Sequence, residues 1–170
     1  MVIIMNIWHN ISPKRIKKNR FYAVIEISKG GKNKYELDKE TGMLKLDRVL
    51  FTSTHYPANY GFIPRTYAND NDPLDVLVLC SEEILPMTIV ECSPIGVLIM
   101  EDGGSRDEKI IAVPVNDPNY NCYKDIDELP SHRMKSSISL RFTKRLKKAR
   151  PPQLSKCKTA KRQRALFKPA

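Results

Sequence analysis

Residues 21–27 read FYAVIEI, an apolar run rich in β-branched side chains, and similar runs recur along the next ninety or so positions. KYELD (34–38) and MLKLDRVL (43–50) alternate apolar and polar positions, as half-buried strands do, with KETG as a hairpin connection between them. LDVLVLC (74–80) is a continuous apolar run of the length expected for a buried strand. TIVECSPIGVLIM (88–100) is expected to give two short strands broken at Pro94-Ile95-Gly96, and KIIAVPV (109–115) gives another. SKGGKNK and EDGGSRDEK read as turns, and DIDELPSHRM (125–134) looks like the start of a helix. No long helical periodicity precedes Asp125, and no internal repeat is evident. Short strands at close spacing, separated by turn signals, argue for a barrel or a sandwich.

The 170 residues are one domain's worth, enough for a sizeable core. The net charge of +10 suggests a polyanion partner until its distribution is seen. Residues 1–132 carry 15 Lys and Arg against 19 Asp and Glu, a net of −4, whereas residues 133–170 carry 14 Lys and Arg and no acid, a net of +14. A mildly acidic body is therefore followed by a wholly basic tail. Cys80, Cys92, Cys122 and Cys157 show no C-x-x-C spacing, so neither zinc nor redox chemistry is indicated and a reducing, intracellular setting is the simpler reading. The opening MVIIMNIW is too short for a membrane span and lacks the basic lead of a signal peptide, so a soluble protein is expected.

One stretch crowds charge at the mouth of a buried strand. Asp70-Asn71-Asp72-Pro73-Leu74-Asp75-Val76 places three carboxylates within six residues. Such acids raise one another's pKa unless a cation sits among them. They either fan into water as a polar turn or hold a metal. A calcium loop of the EF-hand kind is excluded, because Asp75 stands where that loop requires glycine. Other polar residues occupy places a purely structural strand does not need. Glu26 interrupts VIEI; Lys34 and Glu36 share one strand face; Arg48 lies within an apolar strand. Tyr56 and Tyr60 flank a Pro-Asn turn, and Asp102, Asp107 and Lys109 follow. Singly, each has an ordinary explanation, such as a snorkelling arginine. Jointly, pointed into one barrel cavity, they suit phosphoryl transfer to water: carboxylates for Mg²⁺, Lys and Arg for phosphate oxygens.

KYELDKETG, LDR, YPANYGFIPRT, DNDPLDV and RDEKIIAV together resemble the family I soluble inorganic pyrophosphatases, the plant-type sequences above all. The likeness covers roughly residues 8–133. It implies an α+β, mainly β fold: a five-stranded OB-like closed barrel with peripheral helices. It implies Mg²⁺-dependent hydrolysis of pyrophosphate to two phosphates, a cytoplasmic enzyme of phosphate metabolism. By motif position, Asp70, Asp75 and Asp107 are expected to be primary Mg²⁺ ligands, with Asp102 assisting a further ion. Asp72 takes the role of general base and Tyr56 that of proton donor. Lys34, Arg48, Tyr60 and Lys109 hold phosphate oxygens, and Glu26 and Glu36 support the site through metal or water contacts. Asp75→Asn is expected to weaken Mg²⁺ binding yet leave the metal-free fold no less stable, since one source of repulsion is gone.

The likeness ends after DELPSHR. The family's substrate-touching Tyr-Lys pair falls at Lys144 and Arg145, and no tyrosine occurs after Tyr123. The expected organisation is therefore an N-terminal extension (1–20), a barrel domain (21–133) and a basic tail (134–170) in which the family's C-terminal helices are lost or disordered. The tail is read first as a solvated, disordered segment. It also fits an out-of-frame or alternatively spliced end, or an arm for RNA or a membrane surface. The alternatives to full activity are an impaired pyrophosphatase, lacking that phosphate contact, and an OB-like nucleic-acid module. The latter ranks lower because the tail offers only Phe142 and Phe167 as stacking platforms and the body is acidic. The oligomeric state is left open.

Overall fold

A computed structural model describes residues 6–51, 53–68, 72–102 and 105–131, with the side chains of residues 101, 102, 105 and 106 outside the description. Eight strands occur among these residues: β1 (Ile16–Lys17), β2 (Arg20–Ile27), β3 (Asn33–Leu37), β4 (Leu44–Val49), β5 (Asn59–Ile63), β6 (Leu74–Val78), β7 (Ile89–Asp102) and β8 (Ser105–Pro114). Six of them form one sheet in the order β1-β2-β5-β6-β8-β7. A further antiparallel pairing of β2 with β7 closes β2-β5-β6-β8-β7 into a five-stranded barrel. β6 and β8 are its parallel pair; β3 and β4 form a separate antiparallel hairpin. The helical part of the expected fold reduces, among the described residues, to two 3-10 turns, Pro13–Arg15 and Ile126–Glu128. The second stands where a helix start was read, capped by Asp125 and Glu128 in a reciprocal capping box.

The barrel interior is apolar. Phe21, Ala23 and Ile25 of β2 meet Ile63, Leu74, Val76, Val78, Cys92, Ile110 and Ala112, alternate positions from all five barrel strands. The next-door positions face outward, and they too are largely covered, which is why LDVLVL lacks alternation. Leu77, Leu79, Leu98, Ile111 and Val113 pack under Tyr120 and Leu129. Val24 and Phe62 pack under Ile11, with Leu37 of the hairpin against them.

Several local expectations change. TIVECSPIGVLIM does not hold two strands: β7 (Ile89–Asp102) runs unbroken through Pro94, with a bulge where Pro94 pairs Ala112 and Gly96 pairs Ile111. A bulge takes up one residue and bends the strand without ending it. Most of EDGGSRDEK is strand as well, since β7 and β8 pair out to Asp102 and Ser105. Asp107 therefore lies within β8, opposite Met100. Arg48 is not enclosed by an apolar strand; β4 is exposed along most of its length. The polar constellation is not inside the barrel either. Asp75 alternates with the interior Leu74 and Val76, and Lys109 adjoins the interior Ile110, so both point to the outer face.

Candidate active site

The β3–β4 hairpin stands over that outer face and encloses a cavity of about 510 Å³. From the barrel come Glu26, Tyr60, Asp75, Asp107 and Lys109; from the hairpin come Lys34, Glu36 and Arg48; Tyr56 and Asp72 come from loops. These are ten of the twelve residues expected from sequence. Of the other two, Asp70 lies outside the described residues, and Asp102 is seated on β7 with its side chain outside the description.

Lys109 is the hub. Parallel register sets it beside Asp75, and its Nζ donates to Asp75 Oδ2 at 2.6 Å and to Tyr60 Oη at 3.2 Å, and lies 3.0 Å from Asp107 Oδ2. Burial works to lower the Lys109 pKa, but Asp75 and then Asp107 outweigh it and hold the ammonium above its ordinary value. The Tyr60 phenol is pushed well above its ordinary value, first by burial and then by the Asp75 charge. Tyr56, its ring 5.3 Å from that of Tyr60, is also raised by burial, with Lys34 the leading opposing influence. Both phenols are thus held protonated.

Two bulges shape the edges of the site. In β2–β5, Ile25 pairs Gly61 and Ile27 pairs Tyr60, which makes Glu26 the extra residue. A Cβ on Gly61 would lie 1.9 Å from Val24 O, so only glycine permits this approach of the strands. Glu26 Oε1 accepts from the Leu37 amide at 2.8 Å, tying barrel to hairpin. Burial lifts the Glu26 pKa to about 7 despite that hydrogen bond. In the hairpin, Lys34 pairs Arg48 and Tyr35 pairs Leu46, which leaves Asp47 as the bulged residue. Asp47 Oδ2 lies 3.2 Å from Lys34 Nζ and accepts from Arg48 Nη1 at 2.9 Å, while Lys34 also pairs with Glu36.

Sequence reasoning missed Asp47, Lys39 and Trp8. Lys39, in the β3–β4 turn, forms an ion pair with Asp72 and lies over the Trp8 ring, 4.9 Å from its centroid. Lys39, Asp72 and Trp8 line the cavity, and Asp47 reaches it through its contacts with Lys34 and Arg48. A turn lysine in KETG carries no mark that separates it from a solvated one, and a bulge leaves no trace in the alternation of LKLDRV.

The family model for inorganic pyrophosphatase matches residues 23–167. The chain belongs to the inorganic pyrophosphatase family. It is 53% identical over 127 residues to the soluble inorganic pyrophosphatase of Solanum tuberosum, covering 75% of this chain and 60% of that protein. The corresponding figures for a soluble inorganic pyrophosphatase of Arabidopsis thaliana are 51%, 75% and 60%. The chain thus spans less than two thirds of the length of these curated relatives. Among solved structures, the inorganic pyrophosphatase of Helicobacter pylori superposes with a TM-score of 0.68 at 45% identity, covering 72% of this chain and 73% of that one. That of Thermus thermophilus gives 0.70 at 38%, covering 79% and 76%. These pyrophosphatase neighbours fit the OB-like reading of the barrel.

Family membership brings with it a divalent metal cofactor in general terms. No three Asp, Glu, His or Cys side chains among the described residues cluster as a metal site. The fit rests on Asp75 and Asp107, which already share one cation, the Lys109 ammonium, at 2.6 and 3.0 Å. Two carboxylates converging on one positive centre form a hard-oxygen donor set of the kind that suits Mg²⁺ or Mn²⁺. No helix among the described residues is long and apolar enough to cross a membrane.

Proposed function

We propose that this chain hydrolyses inorganic pyrophosphate to two phosphates in an Mg²⁺-dependent reaction in the cytoplasm. What supports it above all is the gathering of the expected acids, bases and phenols around one cavity, in a chain of this family. Asp70, Asp75 and Asp107 would hold Mg²⁺, with Asp102 toward a further ion. When bound, the metal lowers the pKa of water and neutralises charge on the phosphates.

The chain's own residues carry the other roles. Lys34, Arg48, Tyr60 and Lys109 bind phosphate oxygens, Arg48 with a fork suited to two of them. Asp72 takes a proton from the attacking water. Tyr56 hands a proton to the departing phosphate, a role consistent with a phenol kept protonated by burial. Glu26 and Glu36 orient the surrounding hydrogen bonds. The basic tail is proposed as a separate segment with no part in this chemistry.

The test is phosphate release from pyrophosphate, with and without Mg²⁺, on the folded full-length chain. Turnover that needs Mg²⁺ supports the proposal. A folded sample with none refutes it.

A further inference from the structure

We infer that Lys39 is a positioning residue for Asp72, and that Trp8 seats Lys39 for this task. Three segments far apart in sequence meet here, each anchored by its own backbone contacts. The turn carrying Lys39 is wound tightly. Gly42 adopts φ 72°, its amide bonds to Asp38 O at 2.8 Å, and Thr41 Oγ1 donates to Asp38 Oδ2 at 2.6 Å. The segment carrying Trp8 is fastened to the barrel, since the Arg65 amide donates to Trp8 O and Trp8 Nε1 donates to Thr66 O at 3.3 Å. Thr66 in turn accepts from the Leu74 amide at 2.9 Å, which fixes the start of β6. Asp72 is held by its carbonyl, which accepts from the Ala68 amide at 2.7 Å.

Between these anchors run the side-chain contacts: the Lys39 ammonium to the Asp72 carboxylate on one side and the Trp8 ring on the other. Lys39 and Asp72 are both about half exposed, so the pair contributes little to stability. Its use is orientation. A lysine stem has many rotamers, and a buried indole under the ammonium reduces them. A carboxylate that must meet one water gains from a fixed rotamer. Lys39 acts through Asp72 and not on substrate directly.

This inference rests on the role proposed for Asp72, yet half of its test is independent of turnover. Trp8 is the chain's only tryptophan, so its emission reports on the ammonium beside it. Lys39→Met, Asp72→Asn and the double variant are compared by tryptophan fluorescence, with melting curves to show that each folds. Lys39→Met should shift the Trp8 emission, Asp72→Asn should shift it by releasing the ammonium, and the double variant should match Lys39→Met alone. In pyrophosphate hydrolysis, Lys39→Met should lower kcat about 10-fold with KM nearly unchanged. Lys39→Arg should recover most of that loss, and Lys39→Met should cost nothing further in the Asp72→Asn background. An unchanged emission in Lys39→Met, shifts that add, or kcat losses that multiply in the double variant would overturn the inference. If the parent chain turns over no pyrophosphate, the activity reading fails, and the fluorescence cycle alone decides whether Lys39 links Trp8 to Asp72.

Discussion

Lys109 and Asp75 face each other across the parallel β6–β8 pair, the ammonium 2.6 Å from Oδ2. This contact reverses one expectation drawn from sequence. DNDPLDV shows only acids, so deleting the Asp75 charge looks like relief from repulsion. In the folded chain the deletion leaves Lys109, 8% exposed, short of its nearest counter-charge. Asp75→Asn is therefore expected to destabilise the metal-free protein by about 1–3 kcal/mol. Urea unfolding in a chelator measures it. A variant as stable as the parent would show that Asp107 alone satisfies Lys109.

Mg²⁺ should stabilise the parent by mass action, by about 2.7 kcal/mol at a hundredfold excess over Kd. In Asp75→Asn the gain should shrink sharply, because a ligand has lost its charge. Melting temperatures across a Mg²⁺ titration read this directly. Equal gains in both proteins would remove Asp75 from the ligand set.

Glu26 sets a pH dependence whose sign can be worked out. Its folded pKa of about 7 lies above the ordinary 4.5, so between these values the folded chain binds more protons than the unfolded one. Stability from this group is full below pH 4.5, falls as pH rises toward 7, and stays lower beyond. The loss amounts to roughly 3 kcal/mol by pH 8. Glu26→Gln keeps an acceptor for the Leu37 amide and removes the titration. In chelator it should exceed the parent in stability at pH 8 and match it near pH 4.5. A parent whose stability does not decline over that range would contradict the burial argument.

Gly61→Ala places a methyl 1.9 Å from Val24 O, a clash with backbone that no side-chain rotation relieves. It should cost more than about 3 kcal/mol or prevent folding, and should loosen the β2–β5 pairing beside Glu26. Denaturant unfolding tests this; a loss under about 1 kcal/mol would mean the strands can part cheaply.

Much of this was legible in the sequence because chemistry and period speak locally. FYAVIEI and LDVLVLC declare strands, and the motifs carrying Lys34, Tyr56, Tyr60, Asp72 and Lys109 declare a family. What stayed hidden depends on pairing. Pro94 reads as a break, yet a bulge carries β7 through it. The outer-face location of Asp75 follows from which alternate residues fill the barrel, and LDVLVL, apolar on both faces, does not say. Lys109 looks like one more phosphate-binding lysine until the parallel register sets it against Asp75. Lys39 and Trp8 meet only because two separately anchored segments cross above Asp72.

Phosphate release from pyrophosphate by the folded full-length chain tests the central claim most directly. The assay is run in Mg²⁺, in chelator, and with Asp72→Asn as control. Turnover that appears with Mg²⁺, vanishes in chelator and falls about 100-fold or more in Asp72→Asn is the predicted result. A chain that melts cooperatively yet releases no phosphate in Mg²⁺, or releases it equally in chelator, would contradict the assignment.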